Sequence, residues 1–154
     1  MKVYISGSVI NAAMNSKVAA RFEKAGCEVF LPQTIVPGKQ SHEQFSRRVY
    51  ETCLREMERS DIGLLMLDCY GRDSSWEAGW YEAKGKPFLG WIESSFRFLQ
   101  DFMIKGGLDG ILTPNTYVQE VLQSDPILDA GSVFVVNSTK ALRKVLRQIQ
   151  LSTS

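Results

Sequence analysis

Apolar residues along this chain switch repeatedly between short unbroken runs and spacings of three and four, the signatures of buried strands and of amphipathic helices. The run "KVYIS" before Gly7 and Ser8 predicts a first strand. Met14, Val18, Phe22 and Ala25 then recur at helical spacing up to Gly26, which predicts a helix with a glycine stop. "CEVFLP" predicts a second strand closed by Pro32, and residues 33–41, with Pro37 and Gly38, read as a polar loop. Beyond it, Phe45, Val49, Cys53 and Met57 mark one face of a charged helix, with His42 a polar residue near its start. "DIGLLMLDCYG" is almost wholly apolar, as expected of a third strand buried on both faces of a parallel sheet.

The helix predicted next, from "DSSWEAGWYEAKGKP", ends at Gly85, with Lys84 and Lys86 near its negative end and Pro87 beyond. "PFLGWI" predicts strand four, Phe98, Phe102 and Met103 a further helix, "SVFVV" a fifth strand, and 139–149 a closing amphipathic helix. Residues 106–131 carry no clear period, and "LSTS" at 151–154 reads as a loose tail.

Strands alternating with helices imply an α/β fold with a parallel sheet and right-handed crossovers. Five strands in one domain spanning 1–150 point to a flavodoxin-like three-layer sandwich of strand order 2-1-3-4-5. Ligands of such folds sit outside the carboxyl ends of the strands where the order reverses. The loops after strands one and three line that place, and they contain Gly7 and Ser8, and Asp68 to Glu77.

Composition narrows the partners. Among 154 residues 44% are hydrophobic and 23% charged, the balance of a globular chain. A net charge of +1 gives no field that would favour a nucleic acid polymer or an anionic membrane. No apolar run approaches the ~20 residues of a membrane span, and the N-terminus lacks the parts of a secretory signal. Three cysteines, Cys27, Cys53 and Cys69, form no CxxC pair, so reduced thiols in the cytoplasm are expected, with no metal site.

Glu77 admits two readings. Ser74, Ser75, Trp76 and Glu77 match the S-x-x-E capping box, which would spend the carboxylate on the helix's own amides. Alternatively the carboxylate is a reagent: it falls at the expected cleft, is flanked by Trp76 and Trp80, and has Asp73 close by. Tyr4 reads equally as a core aromatic or as a ring facing the site. Gly7 permits close approach of a ligand to the backbone, and Ser8 and Asn11 are also ordinary helix caps.

"VYISGS", "RSDIGLLMLD" and "DSSWEAGWYEAKGKPFLGW" together resemble the nucleoside 2-deoxyribosyltransferase family, over roughly residues 2–92. The resemblance implies cleavage or transfer of the N-glycosidic bond of a 2'-deoxynucleoside by double displacement, as in nucleotide salvage. It makes Glu77 the nucleophile, Tyr4 the residue that holds it, and Asp73 the acid that meets base or sugar. Gly7, Ser8, Asp68 and Trp76 would contact the substrate, no cofactor is needed, and a homo-oligomer is implied. An ionised carboxylate suits this chemistry, because it stabilises an oxocarbenium-like transition state and needs no activating base.

Two departures stand out. The family's acidic residue lies six positions before the glutamate, where this chain has Gly71, and its aspartate eight positions before Asp61 is here Cys53. Asp61 itself reads as structural. Two other activities therefore compete: hydrolysis of deoxynucleoside 5'-monophosphates, and non-catalytic nucleotide binding or signalling.

Overall fold

The computed structural model describes residues 1–128 and 130–152. Its sheet has six parallel strands in the order β2-β1-β3-β4-β5-β6, formed by β1 (Lys2–Ser6), β2 (Glu28–Phe30), β3 (Ile62–Met66), β4 (Phe88–Trp91), β5 (Gly110–Thr113) and β6 (Val133–Val135). The α/β three-layer architecture and the reversal between β1 and β3 are as expected. The strand count is not: the sheet has six strands, not five.

The additional strand is β5, "GILT", inside the stretch without a clear period. It is four residues long and buried throughout, so it shows no alternation, and it follows a glycine-rich turn. Backbone pairing with β4 and β6 builds it, a tertiary effect invisible in local sequence. "SVFVV" thereby becomes the sixth strand.

The helices are α1 (Ala12–Lys24), α2 (His42–Arg59), α3 (Arg72–Lys84), α4 (Phe102–Gly106), α5 (Thr116–Gln123) and α6 (Thr139–Ser152). α6 runs to Ser152, two residues into the stretch expected to be loose; residues 153–154 lie outside the described part. Ser41 caps α2 in a reciprocal box with Gln44, which explains why the helix begins at His42.

Alternation along β1 divides its residues between two cores. Val3 and Ile5 face α1 and α6, where Val18, Phe22, Leu64, Met66, Leu89, Trp91, Leu142 and Val145 complete an apolar cluster. Tyr4 points the other way, into a cluster with Met57, Leu65, Tyr81, Phe88 and Phe98 beneath α2 and α3. Gly63, paired with Tyr4 in register, is needed there, since a Cβ would lie 2.5 Å from the Phe88 ring and 2.7 Å from that of Tyr81.

The "GKP" segment locks α3 in place. Gly85 ends the helix at φ +61°, a left-handed conformation that favours glycine. Lys86 then donates to the Met57 and Glu58 carbonyls at 3.1 and 2.7 Å, tying the end of α3 to the end of α2. Asp61 accepts from the Lys2 amide at 2.6 Å, a structural contact between the starts of β1 and β3.

Candidate active site

The helix containing Glu77 starts three residues earlier than the S-x-x-E pattern implies. Gly71 is its N-cap, and Ser74, inside the first turn, accepts from the Gly71 amide at 3.4 Å. Glu77 is thus one turn too deep to cap anything, and its carboxylate crosses to β1 instead. The Tyr4 hydroxyl donates to Oε1 at 2.5 Å, and the Ser6 hydroxyl donates to Oε2. Residues two apart on a strand share a face, which puts both donors beneath one carboxylate.

Burial dominates the electrostatics. Glu77 is 8% exposed, and desolvation pushes its carboxyl above the usual glutamate range. The Ser6 and Tyr4 hydrogen bonds oppose that rise, while the charge of Asp73 adds to it. Burial and the Glu77 charge hold the Tyr4 phenol far above its ordinary value, so it stays a donor throughout the physiological range. Its ring is fixed by stacking on Phe30 at 5.6 Å and by Tyr81, whose hydroxyl is 2.7 Å from Ser60.

Beside the carboxylate, α2 and α3 diverge into a groove of about 550 Å³. Its walls are His42, Phe45, Ser46, Val49, Tyr50, Cys53, Leu54 and Met57 from α2, and Asp73, Trp76 and Glu77 from α3. Tyr50 and Trp76, each about half exposed, meet edge to face across it at 6.1 Å. Cys53 sits beside the Tyr4 hydroxyl, and burial, with the charges of Glu77 and Asp73, raises its thiol and keeps it protonated.

Of the residues expected at the site, Asp73, Trp76 and Glu77 line one groove, and Tyr4, itself buried, reaches it only through its hydrogen bond to Glu77. Three others do not line it. Asp68 accepts from the amides of Glu93, Ser94 and Ser95 at 2.6, 2.8 and 2.7 Å, so its oxygens hold the loop after β4. Ser8 receives the Ile10 amide at 3.4 Å as a helix cap, and its carbonyl accepts from Asn15 at 3.1 Å. A Cβ on Gly7 would lie 2.9 Å from both Asn15 and Met66, so this glycine serves the packing of α1 on β3. Trp80 packs its ring against Tyr81, with Lys84 and Lys86 at its face.

Sequence reasoning did not connect Ser6 with Glu77, although the two-residue spacing from Tyr4 carried that signal. It also read Phe45, Val49, Cys53 and Met57 only as one face of a charged helix, whereas they line the wall of a groove. Tyr50 carried no signal of its own.

The profile of the family described as nucleoside 2-deoxyribosyltransferase matches residues 3–142. No curated protein sequence matches the chain. A 2-deoxyribosyltransferase from Bacillus psychrosaccharolyticus is 20% identical in sequence and similar in structure, with a TM-score of 0.57 over 72% of this chain and 85% of that one. A conserved protein from Enterococcus faecalis V583 is 17% identical, with a TM-score of 0.56 over 96% and 98% of the two chains. At these identities the two structures speak for a shared fold.

Proposed function

Because the chain belongs to the nucleoside 2-deoxyribosyltransferase family, we propose that it breaks the N-glycosidic bond of 2'-deoxynucleosides with Glu77 as nucleophile. The observation that carries this reading is the placement of the carboxylate: nearly buried, held by two hydroxyl donors from β1, and at the edge of an open groove. A cap or a surface acid needs none of these.

In the first displacement a Glu77 oxygen attacks the anomeric carbon, and the bond to the base nitrogen breaks with its electron pair leaving on the base. The departing base is protonated from water. A second base, or water, then displaces the carboxylate, restoring the original configuration after two inversions. Tyr4 and Ser6 each occupy one acceptor site on the carboxylate, which fixes its orientation and leaves further lone pairs for attack. Asp73, one turn before Glu77, contacts base or sugar hydroxyl, and Trp76 offers an aromatic face to the base.

An uncharged nucleoside fits this groove better than a 5'-monophosphate. Among the described residues its walls contain Asp73 and Glu77 but neither lysine nor arginine. Phosphate there would meet two carboxylates, with no permanently charged side chain in the wall to offset them.

The test is release of free base from deoxynucleosides by Glu77→Ala and Glu77→Gln, with folding checked by circular dichroism. Both variants are expected to be inactive and folded. Wild-type turnover in the Gln variant would contradict the nucleophilic role. Adding a second base separates transfer from hydrolysis.

A further inference from the structure

The whole-chain charge of +1 conceals an asymmetry between the two helical layers. α1 and α6, which cover one face of the sheet, carry seven basic residues and one acidic, a net of +6. The rest of the chain therefore carries −5. Folding separates charge that the sequence as a whole balances.

α6 is the extreme case. Lys140, Arg143, Lys144 and Arg147 are its only charged residues. They recur at spacings of three and four, so each charged neighbour along the helix surface is a like charge, which weakens a helix. α2 does the opposite, setting Glu43 four residues before Arg47 and Glu51 four before Arg55. A solvated helix face ordinarily mixes signs as α2 does. Of the seven cations on α1 and α6, Lys17 alone forms an ion pair among the described residues, with Glu93 at 3.3 Å. Nothing in this chain offsets the repulsion along α6.

Two arginines hold the helices side by side. Arg21 donates to the Val136 carbonyl, just before α6, at 3.2 Å. Arg143 donates to the carbonyls of Lys24 and Ala25, at the end of α1, at 2.9 and 3.1 Å. The two helices thus run in the same direction, with Lys17 and Lys24 exposed on one ridge and Lys140, Lys144 and Arg147 on the other. Each ridge spans seven residues, roughly 10 Å. Glu23, the one acid, is two positions from Arg21 and so lies on the opposite flank of α1, away from α6.

The chemistry of the occupant follows from what this face has and lacks. Cations spread over such a length exceed the reach of one phosphate, whereas each strand of a duplex presents a phosphate about every 3.4 Å along the axis. Leu142, Val145 and Leu146 are taken up by the core, and Leu151 is the only large apolar side chain that the two helices expose. That leaves too little apolar surface to enter a bilayer. Neither helix exposes an aromatic ring on which the bases of a single strand would stack.

We propose that the α1–α6 face docks on the phosphate backbone of duplex nucleic acid, without regard to base sequence. The groove beside Glu77 lies between α2 and α3, across the sheet, so docking leaves it open. The inference is independent of the role of Glu77.

Fluorescence anisotropy of a labelled DNA duplex of about 20 base pairs, titrated with the full chain between about 50 and 200 mM salt, tests it. Saturable binding is expected, weakening with salt at a log–log slope of about −3 to −4, as for four phosphate contacts. K144E/R147E turns like-charge neighbours on α6 into opposite ones, so the fold should persist. It should weaken binding at least about tenfold and make the slope shallower by about two. K39E/R47E changes the net charge equally but lies away from α1 and α6, and should leave affinity within about twofold. Vesicles rich in phosphatidylserine should not displace the duplex. Absence of salt-dependent binding would overturn the proposal, as would equal weakening by the two double variants or displacement by the vesicles.

Discussion

The two faces of the sheet are built from the same strands and differ in what they bury. On the α1 and α6 side the cluster around Val3, Ile5, Phe22, Leu64 and Trp91 is continuous, and Arg21 closes it by lying over Trp91 at 5.3 Å. On the α2 and α3 side the strands present Tyr4 and Ser6, and the core there includes Tyr81 and the Glu77 carboxylate under a groove left open to solvent. Close packing without polar groups is the cheaper way to gain stability, because a buried carboxylate loses hydration that hydrogen bonds only partly replace. The contrast teaches that β1 turns Val3 and Ile5 into one core and, with Tyr4 and Ser6, holds the Glu77 carboxylate on the other face.

That division can be broken from either side. The largest effect is expected at Glu77, where Ala or Gln should lower deoxynucleoside turnover by about 10³-fold or more while the fold persists. A residual rate within tenfold of wild type would remove the chemical half of the contrast. On the opposite face, Phe22→Ala should cost about 3–5 kcal/mol in urea denaturation. The folded fraction of that variant should keep wild-type turnover per molecule, and a proportionate loss of activity would show that the faces are not separable.

Intermediate effects belong to the donors. Tyr4→Phe and Ser6→Ala each remove a hydrogen bond to a charged acceptor, which predicts losses of about ten- to a hundredfold in kcat. Both hydrogen bonds hold the Glu77 pKa down against burial, so each removal should also move the acid limb of the pH–rate profile to higher pH. An unmoved limb would mean that the limb reports some other group.

The smallest effect is thermodynamic. Because burial raises the Glu77 pKa in the folded state, ionising it costs more there than in the unfolded chain. Relative to Glu77→Gln, wild-type stability should therefore be highest below the unfolded pKa of about 4.3 and fall as pH rises through the folded value, then level off. Urea midpoints for the two proteins at a series of pH values would show this, and a difference that grows in the opposite direction would contradict the burial argument.

Much of this contrast was legible in the sequence, and the gaps have physical causes. The long apolar run of β3 and the Tyr4 strand announced a parallel sheet, and the cluster around Glu77 marked the cleft. β5 was missed because four buried residues show no alternation and are organised by their neighbours. The boundary of α3 was misplaced because Ser74 resembles a cap, whereas Gly71 occupies the cap position with no side chain to advertise it. Asp68 looked like a ligand for substrate because of where it lies, and only the three amides of residues 93–95 reveal what its oxygens do. The groove itself could not be read from α2, since a stripe of Phe45, Val49 and Cys53 looks alike whether or not another element covers it.

Intact-protein and peptide mass spectrometry after incubation with a slow 2-fluoro-deoxynucleoside tests the nucleophile most directly. One fluorodeoxyribosyl group on the peptide carrying Glu77, with release of one equivalent of base, is the expected result. Base release with no adduct, or an adduct on another residue, would contradict it.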